Sequence, residues 1–209
     1  EDAVRDALDK SEGDITDDDM AALGVLDADD SDISDLSGLE HAVNLRGLNL
    51  DDNKINDLEA LADLTDLRDL DLDSNEISDI GALSNLTNLR SLDLESNEIN
   101  DISPLANLTN LRSLDLDSNK ISDISPLANL TGLQSLDLDS NEISDISPLA
   151  DIPSLHDIDL DHNKISDLGP LAASSEFGPG DSLEVEYNYL DLTPGSDAMQ
   201  DIETLEEKG

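Results

Sequence analysis

The sequence predicts an α/β solenoid, a chain that advances through copies of one short strand-and-turn unit, and three observations carry that expectation. Asn53, Asn75, Asn97, Asn119, Asn141 and Asn163 recur every 22 residues. Apolar side chains fill the same slots around each of them, as Leu111, Leu114, Leu116, Ile121, Ile124, Leu127 and Leu130 do around Asn119. Within a unit the apolar spacing changes from two to three, which separates a strand with one buried face from a tighter return path.

The elements follow in order. Residues 1–24 read as an N-terminal helical cap. Val4, Ala7 and Leu8 share a helical face, and Thr16 with Asp19 forms a variant capping box ahead of Met20, Leu23 and Leu26. Residues 25–174 read as the repeats, with Ser31 in the asparagine slot of the first. In the strand, Leu114 and Leu116 alternate with Ser113, Asp115 and Asp117. Asn119 then turns inward, where its amide has the donors and the acceptor to satisfy backbone groups that water cannot reach. Stacked copies predict a ladder of such amides. Ile121, Ile124, Leu127 and Leu130 suit short 3₁₀ turns, and Pro104, Pro126, Pro148 and Pro170 sit on that path, where no strand bond is lost. Residues 175–209 read as a last irregular repeat and a C-terminal helical cap. Asn188 comes late, after "SSEFGPGDS", and Met199, Ile202 and Leu205 define a helix ending at Gly209. One unit cannot bury its own apolar face, so units must stack and the ends need caps.

Composition narrows the function classes. The formal net charge of the 209-residue chain is −42, so nucleic acid and anionic membrane surfaces are repelled. Without cysteine there is no disulfide, thiol catalysis or cysteine-held zinc. No apolar run reaches the ~18 residues that crossing a membrane needs. The chain opens at Glu1 rather than Met, as expected of a processed or excised segment.

A period of about 20–29 residues with L-x-x-L-x-L-x-x-N-x-I is the signature of a leucine-rich repeat. The stretch Ile99–Ile121, "INDISPLANLTNLRSLDLDSNKI", resembles the 22-residue repeats of the internalin-like bacterial group, and the likeness covers nearly the whole chain. "ITDDDMAALGVLDADDSDISDLSGLEHAVNL" looks like that group's N-terminal entry, and "YNYLDLTPGSDAMQDIETLEEKG" like the end of its arrays. The resemblance implies a leucine-rich-repeat right-handed solenoid with a parallel β-sheet on the concave face and 3₁₀ turns on the convex face. It also implies a binding module, extracellular or on the cell surface of a prokaryote, with a protein or other extracellular ligand. One departure stands out: where internalins that grip host receptors carry concave aromatics, this chain carries Asp.

"DLDSNEISD" at Asp71–Asp79 has the start of a calcium loop, but Glu76 replaces the glycine of the sharp turn and Ala82 the bidentate glutamate. Leu72 and Ile77 are core residues, which puts Asp71 and Asp73 on a strand and Asn75 inside. No metal site is therefore assigned, and no cofactor is expected beyond diffuse neutralisation by cations. The candidate ligand-binding residues are two concave acidic columns with an aromatic edge. The first column is Asp71, Asp93, Asp115, Asp137 and Asp159; the second holds Asp73, Glu95, Asp117, Asp139 and Asp161, with Asp51 ahead of them. Specific calcium sites between repeats are the alternative. At the edge, His162 and Tyr187 share a slot in adjacent turns, as do Lys164 and Tyr189, a possible cation–π pair.

Asp35, Asp57, Asp79, Asp101, Asp123, Asp145 and Asp167 lie four residues past the slot, with Asp191 in the last turn. A residue copied into every turn is expected to bond local backbone rather than to catalyse. Arg46, Arg68, Arg90 and Arg112 form a column beside the strand. They are expected to bridge neighbouring acidic columns, a basic binding stripe being the alternative. The "NLT" triplets at Asn85, Asn107 and Asn129 match a glycosylation acceptor by letter but copy one structural position. His41, His156 and His162 are scattered, and no phosphate loop, nucleophile elbow or unique acid–base pair occurs, so no catalytic residue is assigned. The expectation is a monomeric, non-catalytic recognition or scaffold module adapted to high salt, with a calcium-stabilised spacer of a larger surface protein as the alternative.

Overall fold

The computed structural model describes residues 1–208. Eight three-residue strands run parallel in one sheet, in chain order: β1 (Val25–Asp27), β2 (Gly47–Asn49), β3 (Asp69–Asp71), β4 (Ser91–Asp93), β5 (Ser113–Asp115), β6 (Ser135–Asp137), β7 (Asp157–Asp159) and β8 (Ser182–Glu184). Register is constant: Leu48 pairs with Leu70, Leu70 with Leu92 and Leu92 with Leu114. The longer last unit causes no slip, since Ile158 pairs with Leu183. The chain is a leucine-rich-repeat solenoid.

Each strand is short because the residue before the asparagine breaks it. Asp52, Ser74, Ser96, Ser118, Ser140, His162 and Tyr187 all adopt left-handed backbone, with φ between 48° and 54°. Asp and Ser reach this region at modest cost because their short polar side chains bond locally; bulky residues do so less readily. The asparagine that follows points into the core. Asn119 donates through Nδ2 to the carbonyls of Leu94 (2.9 Å), Leu116 (3.2 Å) and Asp117 (3.0 Å). Its Oδ1 accepts from the Ile99 N–H at 2.9 Å. Asn53, Asn75, Asn97, Asn141 and Asn163 repeat the pattern, and these six are the buried polar residues of the described chain. Ser31, in the first slot, cannot reach as far, and its hydroxyl bonds the Asp29 carbonyl.

The return path carries six 3₁₀ turns, beginning at Leu39, Glu59, Gly81, Ser103, Ser125 and Ser147. Leu83, Leu105 and Leu127 close them into a core that is continuous from Met20 to Ala172. Pro104, Pro126 and Pro148 stand at the starts of their turns, where a missing N–H costs nothing. Pro170 departs from the expected pattern. It lies in an α-helical segment, Gly169–Ala173, where the last repeat meets the C-terminal helix Asp197–Lys208. The aspartates past the slot bond local backbone: Asp79 accepts from Gly81 N–H at 2.8 Å, Asp101 from Ser103 at 2.8 Å and Asp123 from Ser125 at 2.9 Å.

At the N-terminus a helix spans Asp2–Ala7 and a second spans Asp17–Met20. Thr16 and Asp19 form a full capping box. Val4 and Leu8 pack on the core as expected, but Ala7 is exposed and Ala3 takes its place, because the first helix ends at Ala7 and its face is set by residues one turn earlier. In the C-terminal helix Ala198 and Leu205 are buried, Ile202 is half-buried against the core and Met199 is half-buried. The expected stop at Gly209 lies outside the described residues.

Asn119→Ala strips a donor from three carbonyls and an acceptor from one N–H, in a turn closed to water. At about 1–3 kcal/mol per buried group left unpaired, a loss of roughly 3 kcal/mol or more is expected. Asp117→Ala should leave stability unchanged or raise it at low salt. Urea midpoints that rank the two the other way would show that the inside and outside of the turn are misassigned.

Candidate recognition surface

The pleat fixes what the concave face displays. With Leu70 and Leu72 buried, Asp71 and Asp73 point out, and the constant register stacks each on its counterpart in the next strand at about 4.8 Å. The structure brings Asp71, Asp93, Asp115, Asp137 and Asp159 into one half-buried column, and Asp73, Glu95, Asp117, Asp139 and Asp161 into the next.

The first column also does local work that sequence reasoning missed. Asp93 accepts from the Glu95 N–H at 3.1 Å, Asp115 from Asp117 at 3.0 Å and Asp137 from Asp139 at 3.0 Å. Each carboxylate steadies the chain as it leaves the strand. Which N–H groups lack another partner is a property of the fold; an Asp two residues before such an N–H closes an Asx turn. In the second column Asp73, Asp117 and Asp139 accept from the hydroxyls of Ser74, Ser118 and Ser140.

Crowding shifts the acidity of these groups. Burial, opposed in part by the backbone bond and reinforced by neighbouring carboxylates, pushes Asp115 up to about 7 and Asp137 up to about 6. Asp71, Asp93, Asp117, Asp159 and Glu95 are raised as well, burial being the largest cause in each. By contrast, bonds from Ser103 and Ser125 hold the convex carboxyls of Asp101 and Asp123 below the usual range. Asp93, Glu95 and Asp115 place one carboxylate oxygen each within 4.8 Å of one another, the one such trio among the described residues.

At the C-terminal edge His162 and Tyr187 stack, with ring centroids 4.3 Å apart and planes at 13°. His162 Nδ1 lies 3.1 Å from Asp139. Tyr187 is 70% and Tyr189 is 68% exposed. The expected Lys164–Tyr189 pair is replaced: Lys164 donates to Glu142 at 2.8 Å, because that carboxylate occupies the same slot one repeat earlier.

The arginines overturn another expectation. Arg46, Arg68, Arg90 and Arg112 are exposed and bridge no acidic columns; among the described residues none of them is in an ion pair. Bridging falls to the lysines next to the asparagines instead, Lys54 to Asp32 (2.6 Å), Lys120 to Glu98 (3.2 Å) and Lys164 to Glu142 (2.8 Å). A cavity of about 500 Å³ lies under the N-terminal cap, away from these columns, lined by Val4, Ile15, Met20, Leu26 and Leu36 with Arg5 and His41 among its polar residues. No described helix is long and apolar enough to cross a membrane.

Two family models match the chain. One, "Leucine Rich repeats (2 copies)", matches residues 43–85, 65–107 and 87–129; the other, "Leucine rich repeat", matches residues 109–165. Among solved structures, an internalin C2 from Listeria monocytogenes is 36% identical with a TM-score of 0.81, over 94% of this chain and 87% of its own. An internalin (inlF) from the same organism is 36% identical with a TM-score of 0.74, over 95% of this chain. The match spans 65% of that internalin, short of two thirds of its length. No curated protein matches the chain.

The raised carboxyls give stability a definite pH slope. With folded values above the ordinary 3.8, reaching about 7 at Asp115, the native chain holds extra protons between about pH 4 and pH 7. Stability therefore falls as pH rises through that window. The lowered carboxyls act in the opposite sense, but below about pH 4. Urea midpoints should be higher at pH 5 than at pH 8, and Asp115→Asn should raise the midpoint at pH 8 and flatten the slope. A midpoint that climbs from pH 5 to pH 8 would contradict crowding in the columns.

Proposed function

Since the chain belongs to the leucine-rich-repeat family and is internalin-like in sequence and fold, we propose that it is a protein-recognition module whose concave acidic columns and tyrosine edge bind a cation-bearing partner. The family is typically non-catalytic, and internalin likeness favours a partner protein met at a bacterial surface or in the secreted space. The ligand face is Asp71, Asp73, Asp93, Glu95, Asp115, Asp117, Asp137, Asp139, Asp159 and Asp161, ending in His162, Tyr187 and Tyr189.

The tyrosine edge carries the proposal. Elsewhere the slot before the asparagine holds Asp or Ser, yet at the end of the array it holds His162 and Tyr187 in left-handed backbone. His is among the residues that enter this region more readily, but a tyrosine there costs about 1–2 kcal/mol, strain of a kind that gathers at functional sites. An exposed ring flanked by carboxylates suits a lysine or arginine side chain, held by the ring face and by charge together.

The chain has two tyrosines and no tryptophan, so its intrinsic emission reports on this edge. Titration with an arginine-rich peptide should change that emission saturably, and the Tyr187→Ala, Tyr189→Ala double variant should bind at least about tenfold more weakly by calorimetry. Crosslinks confined to the convex turns at Pro104, Pro126 and Pro148 would refute the assignment.

High net charge adds a second expectation. Neighbouring carboxylates about 5 Å apart repel by roughly 0.8 kcal/mol in a water-like dielectric. At 1 M salt, where the Debye length is about 3 Å, most of that is screened. Thermal midpoints should climb with KCl into the molar range. The Asp93, Glu95 and Asp115 trio favours the rival, a calcium-stabilised spacer. A midpoint flat in KCl that jumps with millimolar calcium would establish that rival instead.

A further inference from the structure

The chain has ten basic residues, and all but four are tied down. Arg5 pairs with Glu1, Lys10 with Asp19, Lys54 with Asp32, Lys120 with Glu98 and Lys164 with Glu142. Lys208 donates to the Ser174 carbonyl. Among the described residues the four without such a partner are Arg46, Arg68, Arg90 and Arg112, stacked in successive repeats. Apart from Arg5 in the N-terminal cap, lysine is used for the internal pairs and arginine for the column. Arginine's fixed fork matches planar oxyanions in a way the point charge of lysine does not.

A local irregularity aims the column outward. The Arg68 carbonyl accepts two bonds from the next repeat, from the N–H groups of Arg90 (2.7 Å) and Ser91 (3.1 Å). The Arg90 carbonyl does the same for Arg112 (2.8 Å) and Ser113 (3.1 Å). This shared acceptor interrupts the in–out alternation at the strand entry. Two consecutive residues, Arg90 and Ser91, therefore stand outside between buried Leu89 and Leu92.

We propose that this arginine column is a second binding lane, of opposite sign to the carboxylate lane, and that it docks the acidic face of an α-helix in a partner protein. Spacing selects the helix. Strand stacking puts the four arginines at about 4.8 Å intervals, roughly 14 Å in all. Glutamates on one helix face recur about every 5.4 Å, so four of them span roughly 16 Å. Same-face residues of an extended strand recur about every 6.7 Å and span roughly 20 Å. Long arginine side chains absorb the first mismatch and not the second. Charge on one face also matters: a polyanion charged on every side is repelled by the −42 chain, whereas a helix offers its neutral faces to the carboxylate lane.

The net charge gives the lane an inverted salt response. At 0.1 M salt the Debye length is about 10 Å and the distant carboxylates repel an acidic helix; at 1 M it is about 3 Å, and mainly the direct contacts are felt. Affinity should rise with KCl, opposite to an ordinary basic patch.

The proposal shares with the tyrosine-edge reading only the assumption of a protein partner, and its readout is separate. The probe is an Ala-rich helical peptide of about twenty residues, long enough to be helical, with four glutamates on one face. In 1 M KCl it should shift the Nε–Hε resonances of Arg46, Arg68, Arg90 and Arg112 and leave Arg5, already bonded to Glu1, in place. Arg68→Gln with Arg90→Gln should weaken binding at least tenfold, and a peptide of the same composition with scattered glutamates should bind at least tenfold more weakly. Unshifted column arginines, equal affinity for the scattered peptide or a sulfated polysaccharide, or binding that falls with KCl would overturn the proposal, whatever the tyrosine emission does.

Discussion

One constraint governs the molecule: each turn must satisfy several buried backbone groups in a space that excludes water, and a single amide per repeat meets that demand. The asparagine reaches back to the previous repeat, as Asn119 does to Leu94 and Ile99, and sideways to its own turn. Local and inter-repeat bonds thus come from the same amide. Buried apolar area supplies most of the driving force for stacking, but the amide fixes where each turn must sit. Register, strand length and the direction of every neighbouring side chain follow from it.

Constant register carries an electrostatic cost. A charge favoured at one position is set about 4.8 Å above its copy, so like charges pile up in columns. The chain handles this differently on its two faces. Convex aspartates are exposed and hold backbone bonds that keep them ionised, as Asp101 and Asp123 do. Concave aspartates are half-buried and pay in acidity, reaching about 7 at Asp115. Lysines relieve the columns beside the asparagines and arginines do not. The acidic columns and the arginine column at the strand entry therefore stand side by side without cancelling.

Whatever repeats was legible in the sequence. The asparagine period, the apolar slots and the constant register all follow from one pattern copied many times. Features set by what lies at the ends were less legible. Pro170 falls in α-helix rather than a 3₁₀ turn because a helix, not another repeat, packs next to it. Ala7 is exposed because the cap helix is only six residues long and ends there. The arginine column was visible as a column, but whether a long side chain reaches an acid depends on the strand-entry irregularity, which no letter marks. The backbone role of Asp93 and Asp115 was hidden for another reason. The same aspartate is both a surface charge and a turn acceptor, and the pattern displays only the first.

Because each repeat bonds its neighbours through identical slots, the array is a ruler whose length is independent of its fold. "DLDSNEISD" stands unchanged at Asp71–Asp79 and Asp137–Asp145, three repeats apart. Excision of a whole number of repeats between them rejoins the same sequence, and the asparagine that follows meets the same kind of carbonyl and N–H it met before. Recombination between such near-copies in the gene would shorten or lengthen the array in steps of about 4.8 Å. Reach is thus open to rapid evolutionary change, while the chemistry of each rung stays fixed.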